Sequence, residues 1–206
     1  MSDHGTPSLH AVILAAGPSS RFGSPKQLVR LAGAPVLHQA IANAAFVAGQ
    51  SLTVVLGANA REIASALRQS AASIAINRNW EEGISSSVRL AVQSAPPRCE
   101  ALLLVLADQV GLKADDLKRL NAAWRRHPVL IAAALHDGAP GLPAIFPNWC
   151  FSDLLGLRGD RDPRLVIRRN VDRVVRIPMP NASVDLDTPE DLLAISPEVT
   201  QGRDAE

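Results

Sequence analysis

The sequence contains no tyrosine and few other aromatic residues. Three tryptophans and four phenylalanines supply the whole aromatic content, 3% of 206 residues. The interior must therefore be filled mainly by aliphatic side chains. Cysteine is equally scarce, because Cys99 and Cys150 are the two in the chain and neither has a histidine-rich neighbourhood. This pattern predicts buried free thiols rather than a zinc site or a disulfide framework, and it favours a reducing, cytoplasmic location.

Long hydrophobic runs and an excess of one charge are also missing. The longest apolar runs, residues 101–107 and 129–135, have seven residues each, whereas a membrane-spanning helix needs about 20. Twenty-one basic residues nearly balance 20 acidic ones, so neither a membrane nor nucleic acid is expected as a partner. Residues 1–8 lack the basic and then apolar order of an export signal. Together with residues 197–206, they are expected to be flexible tails of a single domain that covers residues 1–206.

Short apolar runs without polar alternation indicate strands that are buried on both faces of a parallel sheet. The predicted strands cover residues 10–15, 52–56, 73–76, 102–107 and 129–134. Segments with helical spacing lie between them and cover residues 36–47, 60–69, 84–94 and 114–127. This alternation predicts an α/β fold, a three-layer α/β/α sandwich around a mostly parallel, Rossmann-like sheet.

The pattern changes after Asp137. Residues 138–143 are rich in glycine and proline, so we expect turns there. The prediction then places strands over 144–147 and 174–177 and short helices over 151–155 and 164–170. We expect this part of the chain to be an insertion that builds one wall of a cleft. A last helix is predicted to begin near Thr188 and Pro189, where a hydroxyl cap, a first-turn proline and early acids coincide.

A glycine- and serine-rich loop follows the first predicted strand, in the sequence Leu-Ala-Ala-Gly-Pro-Ser-Ser-Arg-Phe-Gly-Ser-Pro-Lys-Gln-Leu of residues 14–28. Such a loop leaves backbone N–H groups free to converge on phosphate oxygens, and Arg21 and Lys26 add positive charge. It lacks the Gly-Lys-Ser/Thr of a P-loop and the Gly-x-Gly-x-x-Gly of a dinucleotide fingerprint. The alternative is a tight turn with two solvated cations.

Two acidic residues occur where a metal ligand is useful. Asp108 follows an apolar strand, and Asp187 immediately precedes the last predicted helix. Magnesium prefers oxygen ligands and commonly takes one or two carboxylates together with substrate phosphates, so this pair is a candidate Mg²⁺ site. Alternatively, Asp108 accepts hydrogen bonds from backbone N–H groups after the strand, and Asp187 is a loop acid near a helix cap. Asp185 is the other candidate for the second metal ligand.

A further candidate loop, Gly-Ile-Ser-Ser-Ser at residues 83–87, begins a predicted helix. Its unpaired N–H groups and three hydroxyls can face a ligand, although serine is also an ordinary helix cap. Trp80, just before this loop, is expected in the core or at the rim of the cleft. Seven arginines against three aspartates lie between Arg158 and Arg176, and they suit either phosphate recognition or a solvated basic face.

These pieces together resemble the nucleotidyltransferases that attach a nucleotide to the molybdenum cofactor, most closely the molybdopterin cytidylyltransferases. The glycine loop of residues 14–26 is the most informative part. The other matching segments, in the family's order, are 83–87, 106–109, 159–164 and 184–192. The resemblance implies a fold of the nucleotide-diphospho-sugar transferase type over residues 10–195, and it assigns the second metal ligand to Asp187.

The resemblance also implies a reaction and its residues. CMP would pass from CTP to the phosphate of molybdopterin with release of pyrophosphate, in the presence of Mg²⁺. Lys26, Arg21 and Asp108 would be catalytic, and Asp108 and Asp187 would bind the metal. Implied nucleotide contacts are Leu14, Ala15, Ala16, Gly17, Ser19, Ser20, Arg21, Lys26, Gly83, Ser86 and Asp108. Implied acceptor contacts are Ser87, Gln109, Gly141, Pro143, Arg161 and Arg164. CTP or another nucleoside triphosphate and a molybdopterin-type acceptor are the expected ligands, and a molybdoenzyme or its chaperone is a candidate partner.

Two positions depart from the family pattern: Leu142 replaces a histidine of Gly-His-Pro, and Val110 replaces a proline. Ala15 and Ala16 stand where guanylyl relatives tend to have two glycines, and their methyl groups would narrow the base pocket in favour of cytosine. The alternatives are a guanylyl- or sugar-phosphate nucleotidyltransferase, or an accessory protein that binds nucleotide or cofactor without turnover.

Overall fold

The computed structural model describes residues 8–195. The predicted tails therefore lie outside the described residues, apart from Ser8, whose backbone N–H donates to Glu100 Oε2 at 2.6 Å. Within this range the strands are β1 Leu9–Ala15, β2 Arg30–Leu31, β3 Ala34–Pro35, β4 Leu52–Leu56, β5 Ser73–Ile76, β6 Ala101–Leu106, β7 Ile131–His136, β8 Ala139–Pro147 and β9 Val174–Pro178. The helices are α1 Val36–Ala48, α2 Ala60–Ala66, α3 Ile84–Gln93, α4 Ala114–Arg126, α5 Phe151–Leu155, α6 Arg164–Arg169 and α7 Pro189–Ile195.

The main sheet has seven strands in the order β5-β4-β1-β6-β8-β7-β9. Neighbouring strands run parallel except at β8, which is antiparallel to both β6 and β7. Consecutive residues of β1 face opposite sides, so Ile13 belongs to one core cluster and Val12 and Leu14 belong to the other. Helices α1, α2 and α4 cover the first side and α3, α5 and α6 cover the second. The predicted three-layer α/β/α fold is confirmed.

The core is aliphatic, as the composition requires. Trp124 and Phe146 are the aromatic residues among the largest fully buried side chains, which are otherwise isoleucine and leucine. Each such aliphatic side chain contributes about 1.5–3 kcal/mol on burial. Cys99 and Cys150 are buried and free, as predicted. Over the part of the chain that the structure describes, no helix is long and apolar enough to span a membrane.

The segment after Asp137 departs from expectation. The turn is confined to Asp137 and Gly138, both with positive φ, and the predicted turns of residues 139–143 are part of β8. The prolines are tolerated because β8 pairs with β6 only from Ala144 onward and its pairing with β7 shifts register between Ala133 and Ala134. The expectation that this part of the chain is an insertion is also wrong, since β8 and β9 are strands of the central sheet. Helix α2 ends at Ala66, three residues earlier than predicted.

Candidate active site

The carboxyl ends of the parallel strands β1 and β6 form the edge at which the candidate residues meet. Gln27 shapes the loop that follows β1. Its side chain is 3% exposed, and its Nε2 donates to the carbonyl oxygens of Ala15 at 3.1 Å and Gly17 at 3.2 Å. Its Oε1 accepts a hydrogen bond from Ser19 Oγ at 3.2 Å. Sequence reasoning missed Gln27, although its position next to Lys26 in the family motif was an available signal.

Ser19 forms the turn inside this loop. It has a φ of 55°, in the left-handed region, and its carbonyl accepts hydrogen bonds from the N–H groups of Phe22 and Gly23. The Ser19 hydroxyl also accepts from the backbone N–H of Lys26 at 3.2 Å. This hydrogen bond joins the first part of the loop to Lys26, whose side chain lies between Asp108 and Asp187.

Backbone contacts bring Asp108 and Asp187 together despite their distance in the sequence. The N–H of Leu186 donates to the carbonyl of Asp108 at 2.9 Å, and Gln109 and Asp185 form an antiparallel bridge. Gly111 permits this approach, because a Cβ there would lie 2.5 Å from the carbonyl oxygen of Asn181. The carboxyl end of β6 and the segment before α7 consequently present both acids to one cleft.

The two carboxylates are joined by basic side chains. Lys26 Nζ lies 2.6 Å from Asp108 Oδ2 and 2.8 Å from Asp187 Oδ1. Arg21 Nη2 lies 3.0 Å from Asp187 Oδ2. The structure thus joins the two bases of the glycine loop and the two acids proposed from the sequence in a single network.

The network shifts the titration of its members. Burial acts to lower the pKa of Lys26, but attraction and hydrogen bonds from Asp108 and Asp187 outweigh it and leave that pKa above its ordinary value. The hydrogen bond from Lys26 lowers the pKa of Asp187. Burial, together with the negative charges of Asp108 and Asp187, raises the pKa of Asp185 to about 6.

The donor set fits a divalent cation that arrives with substrate. Asp108 Oδ1 is buried and makes no hydrogen bond, so one oxygen of this carboxylate is left without a partner in the cleft. Among residues 8–195, no group of three or more His, Cys, Asp or Glu side chains is arranged as a metal cluster. Mg²⁺ commonly takes one or two protein carboxylates and completes its coordination with phosphate oxygens and water. Two carboxylates therefore suit Mg²⁺ better than a metal that is bound by protein ligands alone.

Two adjoining clefts receive most of the predicted nucleotide residues. The first has a volume of ≈ 190 Å³ and is lined by Leu14, Ala15, Gly17, Pro18, Ser19, Ser20, Arg21, Lys26, Gln27, Ala107, Asp108 and Asp187. The second has a volume of ≈ 300 Å³ and is lined by Leu14, Ala16, Gly17, Pro18, Trp80, Gly83, Ile84, Ser87, Leu106 and Asp108. The first is charged and the second is largely apolar, so together they can hold phosphates beside a flat ring.

Ser86 is the predicted nucleotide residue that lines neither cleft. It is 4% exposed, and its hydroxyl donates to the carbonyl of Gly83 and accepts from Asn77 Nδ2 at 2.8 Å. The same Asn77 amide donates to Ser87 Oγ at 2.9 Å. Asn77, which sequence reasoning did not identify, therefore fixes the start of α3, while Ser87 remains at the cleft wall.

The predicted acceptor residues are only partly brought together. The stem of Arg164 passes close to Gly141, where a Cβ would lie 3.6 Å from Arg164 Cδ. Gln109 is 6% exposed, and its Nε2 donates to the carbonyls of Leu142 at 2.9 Å and Ala182 at 2.8 Å. Gln109 thus ties two loops together, and its amide nitrogen is not free for a ligand. Pro143 is buried within β8.

The segment 159–164 lies against the helix that carries the serine loop. The N–H of Ser85 donates to the carbonyl of Gly159 at 3.3 Å, and a Cβ on Gly83 would collide with Asp160. Arg161 is exposed on this segment and lines neither cleft. Arg164 Nε pairs with Asp162 at 3.2 Å.

The two departures from the family pattern have structural explanations. Leu142 is 1% exposed in the core, and its carbonyl accepts from His136 Nε2 at 3.0 Å. The backbone N–H of Val110 donates to the carbonyl of Asp108 at 2.8 Å, a bond that proline cannot make. Val110 therefore supports the turn that displays Asp108.

The charged cleft lies at the carboxyl edge of an α/β sheet, where ligands of such folds bind, and its paired acids and bases suit phosphate groups. Residues 11–174 match the MobA-like NTP transferase domain, and the chain belongs to that family of nucleotidyltransferases. The family resemblance seen in the sequence is thereby confirmed.

Similar proteins differ in their named activities. Nicotine blue oxidoreductase of Paenarthrobacter nicotinovorans is 33% identical over 135 residues, which cover 65% of this chain and 65% of that protein's length. Molybdenum cofactor cytidylyltransferase of Escherichia coli is 24% identical over 195 residues, covering 94% of this chain and 98% of the relative. The crystal structure of Rv0371c from Mycobacterium tuberculosis aligns with a TM-score of 0.81 at 23% identity, covering 93% and 98% of the two chains. A manganese complex of Rv0371c aligns with a TM-score of 0.77 at 22% identity, over 93% and 99%.

Proposed function

We propose that this protein transfers CMP from CTP to the terminal phosphate of molybdopterin and releases pyrophosphate, with Mg²⁺ as cofactor. The network of Lys26, Arg21, Asp108 and Asp187 beside the glycine loop carries the proposal. The choice of acceptor is supported by the near full-length similarity to the Escherichia coli cytidylyltransferase.

The chemistry requires alignment and neutralisation of charge. A terminal phosphate oxygen of the acceptor attacks the α-phosphorus of CTP, and the bond from that phosphorus to the pyrophosphate oxygen breaks with its electron pair. The attacking phosphate is already ionised at neutral pH, so no general base is needed. Lys26 and Arg21 neutralise the charge of the leaving pyrophosphate, and the loop N–H groups orient the phosphates. Asp108 and Asp187 would hold Mg²⁺, which when bound offsets the charge on the phosphates.

The second cleft supports cytosine as the base. Ala16 is one of its walls, and Trp80 and Leu106 supply apolar surface. The methyl group of Ala16 narrows this space relative to glycine, which favours a pyrimidine over a purine. Ser87 adds a hydroxyl at the same wall. The two buried free thiols support a reducing, cytoplasmic setting for the reaction.

The relative named nicotine blue oxidoreductase favours a second candidate, an oxidoreductase activity, on the strength of its 33% identity. The paired acids and bases of the first cleft argue for phosphate chemistry instead, because electron transfer to an organic ring has no need of two carboxylates beside two cations.

Mass spectrometry of the products formed from molybdopterin, Mg²⁺ and an equimolar mixture of nucleoside triphosphates tests the proposal. We expect a cytidine dinucleotide of the cofactor and one pyrophosphate for each product molecule. A guanine dinucleotide as the product would indicate guanylyl transfer, and transfer to sugar phosphates alone would indicate a different acceptor. Nucleotide binding without any product would indicate an accessory role. Each of these three results contradicts the proposal.

A further inference from the structure

The ammonium of Lys26 lies where the two carboxylates converge. Its distances of 2.6 Å to Asp108 and 2.8 Å to Asp187 are those of strong, charge-assisted hydrogen bonds. The Lys26 side chain is only 14% exposed, against 25% for Asp108 and 37% for Asp187. Lys26 is thus held inside the network rather than extended into solvent.

Each carboxylate of the pair is already matched by a cation. Lys26 contacts both Asp108 and Asp187, and Arg21 contacts Asp187, while the nearby Asp185, whose pKa burial raises to about 6, adds a further acid. A free divalent cation must therefore compete with bound ammonium and guanidinium groups for Asp108 and Asp187. A cation between the same two carboxylates would face the ammonium at contact distance, and the repulsion of like charges at low solvent exposure would oppose its entry. The metal can enter only if the ammonium leaves.

A nucleotide supplies the place to which the ammonium can move. The first cleft, which contains Lys26, is also bordered by the N–H-rich loop of residues 17–21, and a triphosphate bound there brings several negative charges to Lys26. Asp108 Oδ1, buried and without a hydrogen-bond partner, then becomes available to a cation together with the oxygen that Lys26 releases.

We propose that Lys26 is the resident counter-ion of the metal site, so that the cleft binds a divalent cation only when a nucleotide polyphosphate has taken over its ammonium. The inference rests on the proposed function for the identity of the nucleotide. It also sets an order of binding: the site does not bind free metal, and the divalent cation binds together with the nucleotide.

Binding of Mn²⁺ alone, measured from the loss of the free-ion electron paramagnetic resonance signal, tests this order. We expect Lys26→Met and Lys26→Gln to bind Mn²⁺ at least about tenfold more tightly than the wild type in the absence of nucleotide, because the competing charge is gone. Lys118→Met is the matched control, since Lys118 pairs with Asp115 on the exposed face of α4, and this variant should bind Mn²⁺ as the wild type does.

Two further measurements localise the effect. Adding Asp108→Asn to Lys26→Met should abolish the tighter Mn²⁺ binding. A non-reacting methylene analogue of CTP should tighten Mn²⁺ binding to the wild type, while Lys26→Met should bind the analogue itself more weakly. A simple phosphate-binding lysine would affect the analogue and leave free Mn²⁺ binding unchanged.

Mn²⁺ binding that is equal in the wild type and both Lys26 variants would overturn the inference, whatever the enzyme turns over. Conversely, absence of cytidylyl transfer with tighter Mn²⁺ binding by the variants would contradict the proposed function and leave the counter-ion role in place. The two proposals therefore fail on separate readouts.

Discussion

The charged side chains of the first cleft hold one another in position. The exposed pair of Lys118 and Asp115 contributes about 0–1 kcal/mol to stability, whereas Lys26 joins two carboxylates at low exposure. Loss of Lys26 would leave those carboxylates facing each other, and loss of Asp108 would release Lys26 from the position it now holds. Substitutions here alter chemistry more than the global fold, because the network lies at the sheet edge and outside both core clusters.

Replacement of Asp108 by asparagine should lower pyrophosphate release by about 10²-fold to 10³-fold, the usual effect of removing one electrostatic contact to a transition state. The thermal unfolding midpoint should change little. The exposed Asp115→Asn on α4 is the matched control and should retain full activity. Near wild-type turnover in Asp108→Asn would remove Asp108 from the mechanism.

His10 gives a prediction on pH. It is 5% exposed in β1, with Nδ1 2.8 Å from Ser51 Oγ and Nε2 3.0 Å from Thr53 Oγ1, and burial lowers the pKa of His10 below 6.5. The neutral ring is favoured in the folded state, so its contribution to stability is complete above pH 6.5 and is lost as the pH falls. Chemical denaturation at pH 7.5 and pH 5 should show a smaller loss of unfolding free energy in His10→Gln than in the wild type. Equal losses would contradict this role.

The residues found from the sequence and those missed differ in kind. Asp108 and Asp187 can be proposed because each is charged and directly adjoins a predicted strand or helix, and Lys26 because it is a cation within the glycine- and serine-rich loop. The place of Gln27 beside Lys26 in the motif is a signal for it, whereas nothing in the sequence points to Asn77, since a buried amide has no periodic signal and its role emerges only when the fold brings its partners to it. The network of the first cleft is thus predictable from the sequence, while the hydrogen bonds of Asn77 at the start of α3 are not.

Secondary-structure elements are predictable where a short apolar run is buried. Strands β1, β4 and β6 are buried over nearly their whole length, and the sequence predicts each within one residue at either end. Strand β5 has the predicted bounds, but it is an edge strand with Ile74 39% and Ile76 55% exposed, so the expectation that it is buried on both faces is wrong. Most of β8 is not predicted, because Gly141 and the prolines on either side of it are typical of turns, and its pairing with β7 alone before Ala144 explains their presence. In β8, pairing with β7 therefore outweighs the low strand propensity of glycine and proline.

The junction between β6 and α7 depends on Gly111. A Cβ at this position would lie 2.5 Å from the carbonyl oxygen of Asn181 and 2.8 Å from Val184 Cβ. Gly111→Ala should therefore displace the segment that carries Asp187, lowering turnover and costing about 1–3 kcal/mol of unfolding free energy.

The matched control is Gly156→Ala, where φ is −76° and the nearest atom to the added Cβ is 3.3 Å away. We expect a change within about 0.5 kcal/mol and unaltered activity for this variant. Equal effects of the two alanines in denaturation and pyrophosphate assays would show that close packing at Gly111 is not what aligns the acids.

At the scale of the whole molecule, one sheet separates two core clusters and carries the cleft at its edge. Ligands that bind only the folded state should therefore stabilise the entire domain. CTP with Mg²⁺ at 100 times the dissociation constant adds about 2.7 kcal/mol, which corresponds to a rise of about 5–10 °C in the unfolding midpoint for a chain of this size. Mg²⁺ alone should have little effect, and a comparable rise with Mg²⁺ alone, read by differential scanning calorimetry, would contradict the binding order.

The scarcity of aromatic residues gives the molecule a built-in optical reporter. Without tyrosine, its near-ultraviolet emission comes from three tryptophans. Trp124 is sealed in the core, and Trp149 lies against the guanidinium of Arg173 at 3.8 Å, so Trp80 is the indole that an incoming base can touch. Titration with nucleotide should quench emission in the wild type and leave Trp80→Phe unchanged, which allows occupancy to be followed in real time without a dye or a radioactive label.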